Sequence, residues 1–181
     1  IAKLFDADND GDQDLYVVSG GNEFKVGSKE LQDRLYINQG NRKFTKASDA
    51  LPDMPTSGGV VTSGDFDSDG DLDLFVGGRV IPGKYPFSPR SYILENLNGK
   101  FIDVTADVAP ELNSPGLITS AKWSDFDGDG LPDLLIAGEW TGILVFHNLN
   151  GKLVNISEKL GLDEHVGWWF DIHETDIDKD G

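Results

Sequence analysis

The fold class that the sequence predicts is all-β: four-stranded antiparallel blades repeated along the chain, a partial β-propeller. Three observations predict it. A nine-residue pattern, Asp-x-Asp-x-Asp-Gly-x-x-Asp, occurs three times: DADNDGDQD from Asp6 to Asp14, DFDSDGDLD from Asp65 to Asp73, and DFDGDGLPD from Asp125 to Asp133. Each copy runs directly into a short apolar stretch ending in glycine (DLYVVSGG, DLFVGG, DLLIAG), which reads as a buried strand. The copies recur at an interval of about 60 residues, with a further DIDKDG starting at Asp176, and self-similarity of that length marks one supersecondary unit used repeatedly.

Within one unit the elements follow in a constant order. A first strand leads into the Asp loop: IAKLF, then GGVVTSGDFD, then GLITSAKWSDFD. The second strand is the apolar run after the loop. A third strand ends in asparagine: DRLYIN at Asn38, RSYILEN at Asn96, GILVFHN at Asn148. A tight turn follows, with Gly40, Gly99 or Gly151. The fourth strand is KFTKAS, KFIDVT or KLVNIS, and a polar link returns to the next first strand. Successive strands joined by short links pair as antiparallel neighbours, and four such strands make a blade. The repeats span approximately 1–57, 58–115 and 116–166, with a truncated fourth over 167–181, all in a single partial propeller over 1–181. The third repeat is shorter because its link between second and third strands is only EWTG.

The Asp loops carry metal-site chemistry. Carboxylates crowded into one tight loop repel one another unless a cation sits among them. Oxygen-only donors and the absence of cysteine select a hard ion, and calcium, which accepts six to eight oxygens in irregular geometry, fits best. Positions 1, 3 and 5 turn carboxylates inward: Asp6, Asp8 and Asp10; Asp65, Asp67 and Asp69; Asp125, Asp127 and Asp129. Position 7 offers a backbone carbonyl, from Asp12, Asp71 or Leu131, and position 9 closes the loop with the carboxylate of Asp14, Asp73 or Asp133, expected to be bidentate. Glycine at position 6 (Gly11, Gly70, Gly130) permits the left-handed backbone of the turn. The truncated fourth copy contributes Asp176, Asp178 and Asp180, so the expectation is three complete Ca2+ sites and one incomplete one. An EF-hand begins the same way but needs Glu at position 12 and helices on both sides; Val17, Val76 and Ile136 stand there, inside strands. The competing reading, an Asp-rich solvated turn, suits one such loop better than three in register.

With these motifs in hand, the chain resembles the FG-GAP or VCBS repeat family, the blades of the integrin α-subunit propeller and of many large bacterial surface and secreted proteins. DFDSDGDLDLFVGG and DFDGDGLPDLLIAG carry the resemblance, which covers almost the whole chain. The Gly-Trp-Trp segment at Trp168 and Trp169, ahead of a DxDxDG loop, is also similar to the ASPIC/UnbV-associated group of such proteins. The resemblance implies calcium at the Asp positions just named. Closed propellers of the family have about seven blades, against three and a fragment in this sequence.

The net charge of −17 sits largely in the Asp loops. It argues against nucleic acid, which needs clustered Lys and Arg, and against anionic lipid. No apolar run approaches membrane-spanning length, so no membrane insertion is expected of this segment. Both ends fall inside a repeat, which reads as an excerpt of something larger. Calcium loops of this kind suit the millimolar calcium outside cells, so the expected location is extracellular or at the cell surface, in the outer membrane or periplasm of a bacterium.

The strand order places the Asp loops and the turns between third and fourth strands at one end of the blades. The links between second and third strands lie at the other end, which the resemblance to integrins marks as the ligand face. Those links are GNEFKVGSKELQD (21–33), GRVIPGKYPFSP (78–89) and EWTG. Arg79, Lys84, Tyr85, Phe87 and Arg90 form a basic, aromatic island in an acidic chain, with Phe24 and Trp140 at related positions. Aromatic faces suit sugar rings and peptide anchors. The other reading is that the aromatics cover the sheet locally and the basic residues pair with its acids. Trp168 and Trp169, on an expected strand, read as core or blade-to-blade packing. His147, His165 and His173 have neither metal nor triad spacing and are assigned no role. The function expected is a calcium-stabilised, non-catalytic binding or adhesion module that recognises glycan or protein. The alternatives are a fragment of a carbohydrate-active propeller enzyme, such as a polysaccharide lyase, and a pure spacer. The conspicuous carboxylates are committed to metal, which leaves no acid–base pair for an enzyme. Exposed blade edges leave self-association open.

Overall fold

The computed structural model describes residues 1–175 and Ile177. It contains three antiparallel sheets in chain order. The first is β1 (Ala2–Phe5), β2 (Asp14–Val17), β3 (Arg34–Asn38) and β4 (Phe44–Lys46). The second is β5 (Ser57–Gly64), β6 (Asp73–Val80), β7 (Tyr92–Asn96) and β8 (Phe101–Asp103). The third is β9 (Leu117–Ser124), β10 (Asp133–Thr141), β11 (Leu144–Asn148) and β12 (Leu153–Asn155). In all three, each strand pairs with the next in sequence, as expected for propeller blades.

The middle blade shows why its second strand is apolar throughout. Side chains alternate across a strand. Leu74 and Val76 on β6, with Tyr92 and Leu94 on β7, join Phe5, Tyr16, Val18, Leu35 and Val61 in a core between the first two blades. Phe75 and Ile93, one residue out of phase, join Phe66, Ile118, Trp123, Leu134, Ile136 and Phe146 in a second core between the last two. Both faces of this sheet are therefore buried, and every residue from Asp73 to Gly78 is buried. The first blade covers one face only, and β2 alternates between buried and half-buried. Gly77 permits the close approach of the third sheet: a Cβ there would meet Ile118 of β9 at 2.8 Å, and Val60, its partner across the same sheet, at 2.5 Å.

Three features depart from the expectation. The segment that was to open a fourth blade instead forms β13 (Gly167–Trp168), which pairs antiparallel with β10 at Glu139 and Thr141 and makes the third sheet five-stranded. Beyond it, Thr119, Ser120 and Lys122 of β9 bond to Trp169, Asp171 and Glu174. Trp168 and Trp169 are consequently not core residues; they are 55% and 38% exposed, with no further sheet over them among the described residues. The polar link after β8 also holds a short helix, α1 (Thr105–Val108), and a 3-10 turn (Pro110–Asn113), which bury Ala109 and Leu112 in the second core.

Candidate metal loops and the opposite face

The three Asp loops share one hydrogen-bonded frame. The position-1 carboxylate accepts the amide of the position-6 glycine: Asp6 from Gly11 at 2.9 Å, Asp65 from Gly70 at 3.1 Å, Asp125 from Gly130 at 3.0 Å. Those glycines have φ of +88°, +96° and +89°, the left-handed backbone expected of them. Position 4 is left-handed too, at Asn9, Ser68 and Gly128, a requirement that sequence reasoning missed although Asn and Gly are the residues that tolerate it. Position 5 folds back on position 7: Asp10, Asp69 and Asp129 each accept the amide of Asp12, Asp71 or Leu131 at 2.8 Å.

Position 9 is wholly buried in all three loops. One oxygen of Asp14, Asp73 or Asp133 accepts the amide of Ala7, Phe66 or Phe126; the other accepts the amide of Asn38, Asn96 or Asn148. In the first two loops each oxygen keeps a second lone pair, so the closing carboxylate can still ligate a cation while it holds the loop to the third strand; in the third, Asp133 Oδ2 keeps one. The side chain of that strand's asparagine links blades. Asn96 Nδ2 donates to the carbonyl of Ala7 in the preceding loop at 2.9 Å, and Asn148 Nδ2 to that of Phe66 at 2.7 Å.

Ligand atoms of Asp6, Asp8 and Asp10, of Asp65, Asp67 and Asp73, and of Asp125, Asp127 and Asp133 converge within 4.8 Å. The remaining members expected, Asp14, Asp69 and Asp129, belong to the same loops but not to those triads. The Asp71 side chain does not stay idle: it accepts from Asn9 Nδ2 of the first loop and from the amide of Asn98 at 3.0 Å. Asp176, Asp178 and Asp180 lie outside the described residues.

The donor set fits calcium on an observation internal to the first loop. Asp6 Oδ1 and Asp8 Oδ1 are buried and accept no hydrogen bond. A buried anionic oxygen without a partner is costly, and a cation between the two removes that cost. Burial, then Asp14 and Asp10, raise the Asp8 carboxyl above its ordinary value; burial, then Asp69, raise Asp67. Burial pushes Asp73 up to about 7. Gly99 of the next blade's turn lies against Asp8, and Gly151 against Asp67, so the first two loops are roofed while Asp125, Asp127 and Asp129 are exposed.

In the second and third blades the residue before the terminal asparagine, Glu95 or His147, also reaches its loop, which sequence spacing did not reveal. Ile37, at that place in the first blade, packs against the first core instead. Burial, then Asp67 and Asp69, raise the Glu95 carboxyl. His147, to which no role was assigned, lies with Nδ1 3.0 Å from Asp133 and 3.4 Å from Asp127.

At the opposite end the basic island is largely paired. Arg79 forms an ion pair with Glu139 of the third blade, and Arg90 one of 2.6 Å with Asp103 while its guanidinium lies 4.6 Å over the Tyr92 ring. Lys84 is exposed on the bend after Ile81. Tyr85 and Trp140 are held together, the indole N–H donating to the phenol oxygen at 2.8 Å, and both remain more than half exposed. Trp140 meets Trp168 edge to face at 5.4 Å, and its φ is +60°. Phe24 instead lines a separate cleft of about 770 Å3 in the first blade, walled by Lys29, Asp33, Arg34 and Lys46.

A model of the FG-GAP-like repeat matches residues 6–76 and 125–181, well over half of the chain. No curated protein matches it.

Proposed function

The chain belongs to the FG-GAP-like repeat family, and on that premise we propose that it is a calcium-stabilised, non-catalytic binding module of a larger surface or secreted protein, which recognises glycan or protein through the face opposite its Asp loops. The observation that carries the reading is Trp140. A bulky residue at φ +60° is strained by about 1–3 kcal/mol, and such strain persists where the surroundings impose it, often at ligand sites. Here the strain holds an indole 53% exposed, tethered by Tyr85 and flanked by Trp168. Two perpendicular, solvent-facing indoles beside the Tyr85 hydroxyl and the Arg79–Glu139 pair combine stacking surface with hydrogen-bonding groups, the combination that sugar rings and peptide anchors use.

Asp6, Asp8, Asp10 and Asp14, and their counterparts in the second loop, would hold the calcium. The ion would supply charge neutralisation to the loops and take no part at the opposite face. Millimolar calcium in an extracellular setting suits such sites. The test is to probe arrays of immobilised glycans and proteins with the calcium-loaded chain. Binding is expected to weaken at least tenfold in Trp140→Ala at an unchanged melting temperature. An absence of binding, or equal binding by the variant, overturns the ligand face.

A further inference from the structure

The three loops are not chemically equivalent, and the difference lies outside the nine-residue pattern. In the second and third blades the third strand brings one side chain to the loop from the position before its terminal asparagine. The second blade supplies Glu95, a further carboxylate, and the third His147, an imidazole; Ile37, at that place in the first blade, has no donor atom and packs against the first core. His147 Nδ1 is within 3.0 Å of Asp133 Oδ1 and 3.4 Å of Asp127 Oδ2, and Asp127, Asp129 and His147 can all turn a ligand atom into one 4.8 Å cluster. The Phe126 ring packs edge-on against the imidazole at 6.5 Å, which helps to fix its orientation. The same loop has lost the position-7 carboxylate, where Leu131 replaces Asp12 and Asp71.

Resting on the calcium reading of the other loops, we infer that the third loop is a mixed nitrogen–oxygen site for a transition-metal dication, while the first two are all-oxygen sites for calcium. Calcium gains little from an imidazole and prefers hard oxygen donors. Borderline ions such as Co2+, Ni2+ and Zn2+ gain strongly from it and tolerate the remaining carboxylates. One nitrogen among oxygens therefore shifts the preference of this loop alone. Exposure of Asp125, Asp127 and Asp129 leaves the site open to exchange, unlike the roofed first and second loops.

The probe is Co2+, added to the chain in millimolar calcium, with His165→Gln and His173→Gln in the background to remove the other imidazoles. One Co2+ per chain is expected to remain bound by calorimetry, with paramagnetically shifted ring protons of a single histidine. His147→Ile, the first blade's residue, is expected to weaken Co2+ by about ten- to a hundredfold and leave calcium binding at the first two loops unchanged. His147→Glu, the second blade's residue, should turn the third loop towards calcium, and its melting curve controls for misfolding. Equal Co2+ affinity in wild type and His147→Ile, or the absence of a shifted histidine, overturns the inference. Failure of calcium to bind the first two loops would overturn the calcium reading instead, and leaves the Co2+ result to be read separately.

Discussion

At the scale of single residues, the buried polar groups decide how the chain responds to its solution. Asp33 closes the link between β2 and β3. Its carboxylate accepts the Tyr16 hydroxyl at 2.8 Å and the Ser19 amide at 2.6 Å, and Tyr16 is fully buried. Burial outweighs those bonds and pushes the Asp33 pKa from 3.8 to about 7. A raised acid pKa means that the folded chain keeps a proton which the unfolded chain has already released. Stability therefore falls as pH rises from about 4 to about 7, by on the order of 4 kcal/mol for this one group. Asp33→Asn keeps an acceptor for the Ser19 amide and carries no charge to bury. Urea unfolding at fixed calcium should show a shallower loss of stability over that pH range in the variant than in wild type. Parallel profiles would mean that Asp33 is not the group responsible.

At the scale of elements, the blades are joined by a repeated pair of devices: alternating apolar faces and one asparagine per interface. Asn96 is wholly buried and bonds to Ala7 and Leu72 through Nδ2 and to the Gly99 amide through Oδ1. Asn38 occupies the same place in the first blade but bonds only within its own sheet, to Gln13 and Gly40. Removing a buried group that leaves partners unsatisfied costs about 1–3 kcal/mol per partner. Asn96→Ala should thus lower the free energy of unfolding by about 2–4 kcal/mol, and Asn38→Ala by less than half of that; equal losses would show that the inter-blade bond contributes nothing. The strand order and the loop glycines were legible in the sequence because both are local: turns punctuate the strands, and Gly11, Gly70 and Gly130 answer a local backbone demand. The asparagine bridge, the reach of Glu95 and His147 and the docking of β13 were not legible. Each depends on which residue faces which after neighbouring strands have paired, and the motif spacing carries no record of that. Trp168 was misread for the same reason: alternation predicts two faces for a strand but not whether another sheet covers either one.

At the scale of the whole molecule, a net charge of −17 is concentrated in loops that share one end of the blades. Cations bound among the carboxylates would relieve the repulsion it stores, so calcium is expected to act as part of the fold. The first two loops are covered by the turns at Gly99 and Gly151 of the following blades, which couples their neutralisation to the packing of one sheet on the next. If each of the first two loops bound calcium at ~10 µM in ~1 mM calcium, linkage would stabilise the folded chain by ~2.7 kcal/mol per site. For a chain of this size that is roughly 5–10 °C of melting temperature for each occupied loop. Scanning calorimetry in chelator and across calcium concentrations should show a stepwise rise. Asp8→Asn, in a roofed loop with unpaired buried oxygens, should remove more of that rise than Asp127→Asn in the open third loop. Raising monovalent salt in chelator should recover part of the loss, because screening weakens repulsion between exposed carboxylates without satisfying the buried oxygens of Asp6 and Asp8. Melting that is the same in chelator and in calcium would mean that the loops are held by their own hydrogen bonds, and that the acidic pattern is a solvated turn repeated three times.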